Sequence, residues 1–351
     1  MRQLTDMMKL QPFGNTGLDF PPLVFGSSAL GNLFKVYSQE VKNAILEESF
    51  KHTEPLTVFD TAGKYGAGLA LEVLGNFLKS HPMPKERLVI SNKLGWVRTP
   101  LKTKEPTFEP GIWKGIQHDA VQKISYEGIL ECFEKDNQLL GQHVPQLVSV
   151  HDPDEYLDQA RTEREKNKRF GDVLGAYKAL AELKSRGLVA GIGVGAKKWE
   201  TIREIYDHVK LDYVMVANSL TLISHPTALL DFIHRLRMDN VGIINAAVFQ
   251  SGFLVGEDYY DYRPIDYSDS QDLERLAWRK SFFGVCKQYE VDPDHACIQF
   301  ALSVPGVNSV ALSITDPSLI VKNLRSATEK LPQAFWDELK SKGIIQKLDF
   351  I

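Results

Sequence analysis

The sequence is short of cysteine: Cys132, Cys286 and Cys297 are its only three, and none forms a CxxC pair. Three scattered thiols exclude a disulfide framework and a thiolate zinc site, so the expectation is buried free thiols in a reducing compartment. Long apolar runs are missing as well. Nowhere do 18 apolar residues follow one another, and the opening "MRQLTDMMKLQPFG" has no run of signal-peptide length. A cytoplasmic protein without membrane association is predicted. Basic blocks are also absent, and the formal net charge is −4, which removes the electrostatic footprint of nucleic-acid or anionic-membrane binding and leaves a small or neutral ligand. No low-complexity linker or composition break marks a second domain, so residues 1–351 are expected to form a single domain.

What is present suits a large core. Hydrophobic residues make up 43% of the chain and charged ones 25%, and 351 residues is within the range of one α/β barrel. Short runs rich in Val, Ile and Leu alternate with stretches of helical spacing: "LVFG" (23–26), "TVFD" (57–60), "LVISNK" (88–93), "LVSVH" (147–151), "VAGIGVG" (189–195), "YVMVA" (213–217), "VGIINA" (241–246) and "SVALS" (309–313). Eight such strands separated by amphipathic segments predict an α/β fold, a (β/α)8 TIM barrel. In "GDVLGAYKALAELKSRG" (171–187), Leu174, Tyr177, Leu180 and Leu183 recur at helical spacing and Gly187 supplies the stop. The charged run 161–169 reads as a solvated loop or helix start. Ahead of the first strand, "LQPFGNTGLDFPP" places Asn15, Thr16 and Gly17 between hydrophobic flanks, the pattern of an N-terminal β-hairpin.

Two connections are long for simple turns, residues 95–119 after the third strand and 251–270 after the seventh. Both are predicted at the C-terminal mouth, where barrels of this kind carry their active sites. Their aromatics, Trp96 and Trp113 in one, Tyr259, Tyr260 and Tyr262 in the other, either wall a pocket or pack as ordinary surface-loop residues.

Four polar residues fall at or just beyond strand ends: Asp60, Tyr65, Lys93 and His151. Singly, each has a structural reading: Asp60 as a helix N-cap, Tyr65 as packing, Lys93 as a surface charge, His151 as a core histidine. Together on one barrel face they make chemical sense. A phenol titrates near 10, too high for ready proton exchange at neutral pH, and a neighbouring ammonium stabilises the phenolate. Lys93 is expected to lower the pKa of Tyr65, Asp60 to hold Lys93, and His151 to hydrogen-bond the reacting oxygen. Such a set moves one proton on or off a carbonyl or alcohol oxygen. With no strong nucleophile and no metal ligand set, a hydride partner is its natural complement.

"DTAGKYGAGLALEVLG" (60–75), "NKLGW" (92–96) and "SVHDPD" (149–154) resemble the successive signatures of the aldo-keto reductase superfamily, whose catalytic tetrad falls on Asp60, Tyr65, Lys93 and His151. The similarity runs over nearly the whole chain, through "FGSSALGNLF" (25–34), "LKSRGLVAGIGVG" (183–195) and "SVALSITDPSLIVKNL" (309–324). "MVANSLTLISHP" (215–226), "VFQSGFL" (248–254) and "YYDYRP" (259–264) look most like the aldose 1-dehydrogenase branch, which includes D-threo-aldose and L-fucose dehydrogenases, with pyridoxal and L-galactose dehydrogenases as similar relatives. There are departures. Ala70-Leu71 replaces the usual Ser-Glu pair, Ala246 stands where many relatives carry a nicotinamide-stacking Tyr, and Gly195-Ala196 replaces a Ser-Asn pair, which passes carboxamide contacts to Asn218.

"GIGVGAKKWE" (191–200) is not GxGxxG and has no acidic residue placed as a Rossmann unit requires, so it reads as a strand entering a turn. The resemblance instead implies a dinucleotide across the barrel mouth, with Ser27, Asn218, Phe249, Ser251, Gly252, Leu254, Ser313, Thr315 and Asn323 as cofactor contacts, and Phe34, Trp96 and Trp113 as substrate contacts. No metal is implied. NADPH-preferring relatives place Lys or Arg in the final segment, where this chain has Ser313, Thr315 and Leu319 beside Asp316, so NAD is expected over NADP, with Lys322 near enough to permit some NADP use. The implied activity is oxidation of the C1 hydroxyl of an aldose to the lactone. The alternatives are a pyridoxal or L-galactose dehydrogenase, an aldehyde reductase, or a regulatory nucleotide-binding subunit, which the intact tetrad disfavours.

Overall fold

A computed structural model describes residues 9–351 apart from Gln142. The strands are β1 (Gln11–Pro12), β2 (Asp19–Phe20), β3 (Leu23–Gly26), β4 (Thr57–Ala62), β5 (Leu88–Leu94), β6 (Trp96–Pro100), β7 (His118–Gln122), β8 (Leu147–His151), β9 (Gly191–Ala196), β10 (Tyr213–Ala217), β11 (Gly242–Ala246), β12 (Tyr259–Tyr260), β13 (Arg263–Pro264) and β14 (Ser309–Ser313). Eight of them, β3, β4, β5, β8, β9, β10, β11 and β14, close a barrel in sequence order, and every pair around it is parallel. This is the predicted (β/α)8 TIM barrel. The helices are α1 (Gln39–His52), α2 (Leu69–Ser80), α3 (Tyr126–Leu139), α4 (Pro153–Asp158), α5 (Glu163–Ser185), α6 (Trp199–Tyr206), α7 (Thr227–Met238), α8 (Ser270–Gln288), α9 (Pro293–Ser303), α10 (Leu319–Thr328) and α11 (Gln333–Ser341).

Sequence chemistry starts several of these helices. Ser38, Ser125, Thr162 and Asp269 each accept a hydrogen bond from the backbone N–H three residues on, which satisfies one of the otherwise orphaned amides of the first turn. The start of α5 lies in the charged run 161–169 and is solvated, as the sequence implied.

Alternation along the strands divides the core into layers. Val24, Val58, Val89, Met215, Ile244 and Ala311 cluster inside the barrel. Two larger clusters fill the space between strands and helices, and the three cysteines are buried free thiols on α3, α8 and α9. The predicted hairpin is β1–β2, and it closes the bottom of the barrel: Phe13 and Phe20 stack at 4.0 Å and join the interior cluster. Phe13 lies against Gly242, where a Cβ would come within 2.7 Å of the ring. The long segment 95–119 is not all loop. Trp96–Pro100 pairs antiparallel with His118–Gln122, so its two ends form a ribbon and only the middle is irregular. In the segment after β11, β12 and β13 pair, and the buried Asp272 carboxylate accepts hydrogen bonds from Arg263 and Arg275, which ties the loop to α8.

Candidate active site

The same alternation that buries Val58 and Val89 carries Asp60 and Lys93 to the upper rim, two and four residues further along their strands. Register sets their relative height: Asp60 pairs with Ser91, Ala62 with Lys93, Lys93 with Ser149, and His151 with Gly195. Gly195 is where the lysine needs space, since a Cβ there would lie 2.9 Å from Lys93 Cδ. Tyr65 follows β4 in a tight turn that packs on the loop after β3. At Gly66, with φ +63°, a Cβ would fall 2.4 Å from the Gly31 carbonyl oxygen, so the close approach requires glycine.

Asp60, Tyr65, Lys93 and His151 converge on one cavity of about 380 Å³ at the barrel mouth. Lys93 Nζ–H donates to Asp60 Oδ2 in a fully buried ion pair, and lies 4.7 Å from the centroid of the Tyr65 ring. The His151 ring meets the Tyr65 ring edge-on at 5.6 Å. Its Nδ1 has no hydrogen-bond partner among the described residues, and its Nε2 lies 3.4 Å from Asp152 Oδ2.

The electrostatics depart from the sequence expectation in one respect. Burial pushes the Tyr65 phenol above its ordinary value; the Lys93 ammonium pulls it down, but Asp60 adds to the rise, and the net shift is upward. The expected lowering by Lys93 is therefore real in sign but outweighed, because burial of the ring and the Asp60 carboxylate both act against it. Burial also drives His151 well below the usual imidazole range, aided by Lys93, Lys64 and Lys197 against the pull of Asp152, so the ring is neutral at pH 7. For Lys93, burial favours the neutral form, but Asp60 and Tyr65 outweigh it and hold the ammonium charged.

A second charged group borders the same cavity, and the sequence reading missed it. Lys64 is buried immediately before Tyr65, and its ammonium meets three carboxylates: Glu109 at 2.7 Å, Asp152 at 2.8 Å and Glu155 at 2.8 Å. Glu109 in turn accepts the Trp113 indole N–H at 2.7 Å. Lys197, after β9, pairs with Glu155 at 2.6 Å and lies 4.7 Å from the Tyr262 ring centroid. Lys64 was visible within "DTAGKYG", yet its partners are 45 to 91 positions away, and nothing local joins them.

Of the other expected contacts, Phe34, Trp113, Phe249, Ser251, Gly252, Ser313 and Thr315 line the cavity. Trp96 does not, which corrects its expected place in the substrate wall: it packs on Phe108 with Lys64 Nζ 5.2 Å from its ring centroid, in a cluster that also holds Ala67, Ile116 and Ala120. Asn218 also stands back from the cavity, its amide donating to Asp261 at 2.8 Å. Leu254 is in the core and Asn323 is buried on α10, while the Ser27 hydroxyl is buried without a partner beside the cavity residues Gly26 and Ser28.

The room and chemistry suit a dinucleotide. Gly26, Ala217, Ala246 and Ala247 leave the cavity wall free of bulk, and the Gln250 and Ser251 backbones adopt positive φ at its edge, turning the chain around an open space. The buried Ser27 hydroxyl, beside the cavity residues Gly26 and Ser28, has no partner among the described residues and can take a donor or acceptor.

Residues 22–344 match the family described as Aldo/keto reductase family. The chain is 29% identical over 341 residues to pyridoxal 4-dehydrogenase of Microbacterium luteolum, covering 95% of this chain and 96% of that protein. It is 27% identical over 338 residues to D-threo-aldose 1-dehydrogenase of a Pseudomonas species, covering 94% and 96%. L-galactose dehydrogenase of Arabidopsis thaliana shares 22% over 323 residues, 92% of this chain and 89% of that one. Among solved structures, the holo form of an aldo-keto reductase from Bacillus halodurans superposes with a TM-score of 0.67 over 97% of both chains at 16% identity, a likeness of fold.

Proposed function

Because the chain belongs to the aldo/keto reductase family and is an NAD(P)-dependent oxidoreductase, we propose that it oxidises the C1 hydroxyl of an aldose of the L-fucose or D-threo-aldose type to the lactone, with NAD as the preferred cofactor. The observation that carries this reading is the mixed wall of the cavity. Aromatic faces from Phe34, Trp113 and Tyr262 stand beside the ionic groups of Lys64, Asp152 and Lys197, which suits a ring with apolar faces and hydroxyl edges better than an alkyl aldehyde.

Oxidation at C1 breaks one C–H and one O–H bond and leaves the lactone carbonyl. Bound nicotinamide supplies the acceptor for the hydrogen that leaves C1 with its electron pair. The proton goes to Tyr65 Oη, whose phenolate is stabilised by the Lys93 ammonium next to it. Asp60 holds that ammonium in place. Neutral His151 contributes a hydrogen bond to the reacting oxygen without adding a charge. In reverse, Tyr65 donates the proton to an aldehyde oxygen.

Charge supports NAD. Ser313, Thr315 and Asp316 are exposed at the end of the cofactor segment, and Lys322, the cation that the sequence left open for a 2′-phosphate, is paired with Asp292 at 3.0 Å and Asp294 at 2.9 Å. A second reading, oxidation of the cyclic hemiacetal of pyridoxal, draws on the same aromatic walls and on the pyridoxal 4-dehydrogenase relative. The deciding experiment follows reduced-cofactor absorbance with NAD or NADP against a panel of aldoses and pyridoxal. Turnover of an aldose is expected, and a panel in which pyridoxal alone reacts replaces the first reading with the second.

A further inference from the structure

Asp152 does more than neighbour His151. Its backbone sits in the left-handed region, φ 49° and ψ 53°, where Asp is tolerated better than most residues, and this turns the side chain into the cavity it lines. The residue is 6% exposed. Both of its polar side-chain contacts, Lys64 Nζ at 2.8 Å and His151 Nε2 at 3.4 Å, use Oδ2, which leaves Oδ1 without a hydrogen-bond partner among the described residues. On a residue that lines the cavity, an oxygen free of protein donors is available to a hydroxyl that enters.

The charge is held there. Burial favours protonation, but His151, Lys64 and Lys197 surround the group and keep its carboxyl well below the usual range. The donor that Oδ1 lacks must therefore come from what fills the cavity. Its position narrows the choice. His151 addresses the reacting oxygen, and Asp152 is the next residue, with its carboxylate against the same imidazole. Two adjacent recognition groups match two adjacent oxygens.

Resting on the aldose reading, we propose that Asp152 is a specificity-determining residue whose free carboxylate oxygen accepts a hydrogen bond from a hydroxyl on the carbon next to the reacting one. Substrates are then 2-hydroxy carbonyl compounds and their cyclic hemiacetals. An analogue lacking that hydroxyl leaves Oδ1 without its donor while Lys64 still pairs Oδ2, and a site built to bond a hydroxyl rejects the analogue without it. Lys64 acts through Asp152 as a positioning residue, and Glu109 and Glu155 occupy its two remaining donors.

Two substrate pairs test this in the intact enzyme: L-fucose against 2-deoxy-L-fucose with NAD, and glyceraldehyde against 3-hydroxypropanal with NADH. The wild-type enzyme is expected to favour the 2-hydroxy member by at least about 20-fold in kcat/KM. Asp152→Asn keeps the volume, tolerates the backbone conformation and leaves Lys64 two acid partners; it is expected to narrow the preference to roughly 3-fold or less, mainly by raising KM for the hydroxylated member. Cofactor binding, followed by fluorescence quenching, reports that the variant is folded. If L-fucose fails while the glyceraldehyde pair shows the preference and its loss, the aldose reading falls and the role of Asp152 stands. Equal rates within both pairs, no turnover of any member, or a preference that survives Asp152→Asn overturns the inference.

Discussion

Gly195 and Lys93 share one volume: the hydrogen at the Gly195 α-carbon occupies the place where any side chain would press on the lysine stem. The glycine is not there for its turn geometry, since it pairs in register within β9 opposite His151. Gly195→Ala is expected to displace Lys93 rather than the strand, because Cδ belongs to a flexible chain and backbone does not yield as easily. The expected result is a fall in kcat of about 10-fold or more, since small misplacements of a reacting group are costly. Thermal unfolding is expected to shift by only about 5 °C or less. Unchanged kcat would show that the lysine accommodates the methyl without leaving Tyr65.

Removing the phenol separates proton transfer from binding. Tyr65→Phe keeps the ring that packs on Trp113 at 5.7 Å and loses only the hydroxyl. A loss of about 10²–10⁴ in kcat is expected, with cofactor affinity within roughly 2-fold of the parent. Near-normal turnover would exclude Tyr65 from the proton-transfer step.

The raised Tyr65 value gives the two directions opposite pH behaviour. Oxidation needs the phenolate, and a group titrating above its ordinary value gains phenolate about tenfold per pH unit throughout the range below it. The logarithm of kcat/KM for oxidation is therefore expected to climb with slope near 1 between about pH 7 and 9, while reduction, which uses the protonated form, stays level. No break is expected near the usual histidine value, since His151 is neutral throughout. A flat oxidation profile would mean that another group takes the proton.

Behind the site, Asp136 is a buried carboxylic acid with Asn92 as its hydrogen-bond donor at 2.8 Å, and burial raises it to about 7. Its folded value lies above its unfolded one, so the stability it contributes is complete below about pH 4 and drains away as pH rises through about 7. Asp136→Asn cannot ionise. The melting temperature of the variant relative to the parent is expected to rise between pH 6 and pH 8.5; a difference that does not change with pH would show that Asp136 is already relieved by Arg98.

For the cofactor, Leu319→Arg places a guanidinium in the segment that holds Ser313 and Thr315, three residues past Asp316 and apart from the Asp292 and Asp294 pair that engages Lys322. NADP affinity is expected to rise by about 10-fold with NAD little changed. No change in the ratio would show that the 2′-hydroxyl of the bound cofactor lies elsewhere.

The barrel was legible because each strand announces itself by a short run rich in Val, Ile or Leu, and the placement of Asp60, Lys93 and His151 at or near strand ends was legible with it. Two things were not. The ribbon formed by Trp96–Pro100 and His118–Gln122 is joined across 17 intervening residues, and strand pairing at that distance leaves no local signature, so nothing in the sequence told that Trp96 packs on Phe108 and not in the cavity wall. The ion cluster around Lys64 is assembled from three separate connections by folding itself. Its energetic sense, a lysine buried because three carboxylates converge on it, exists only in three dimensions. The pKa of Tyr65 failed to follow for a related reason: sequence names the neighbouring charges but not how completely water is removed.

The stacked rings of Phe13 and Phe20 have a consequence for traffic. With that end of the barrel stoppered, the mouth is both entrance and exit, and cofactor and substrate share one doorway. Phe13 and Phe20 line none of that cavity, yet they fix the side from which both come and go.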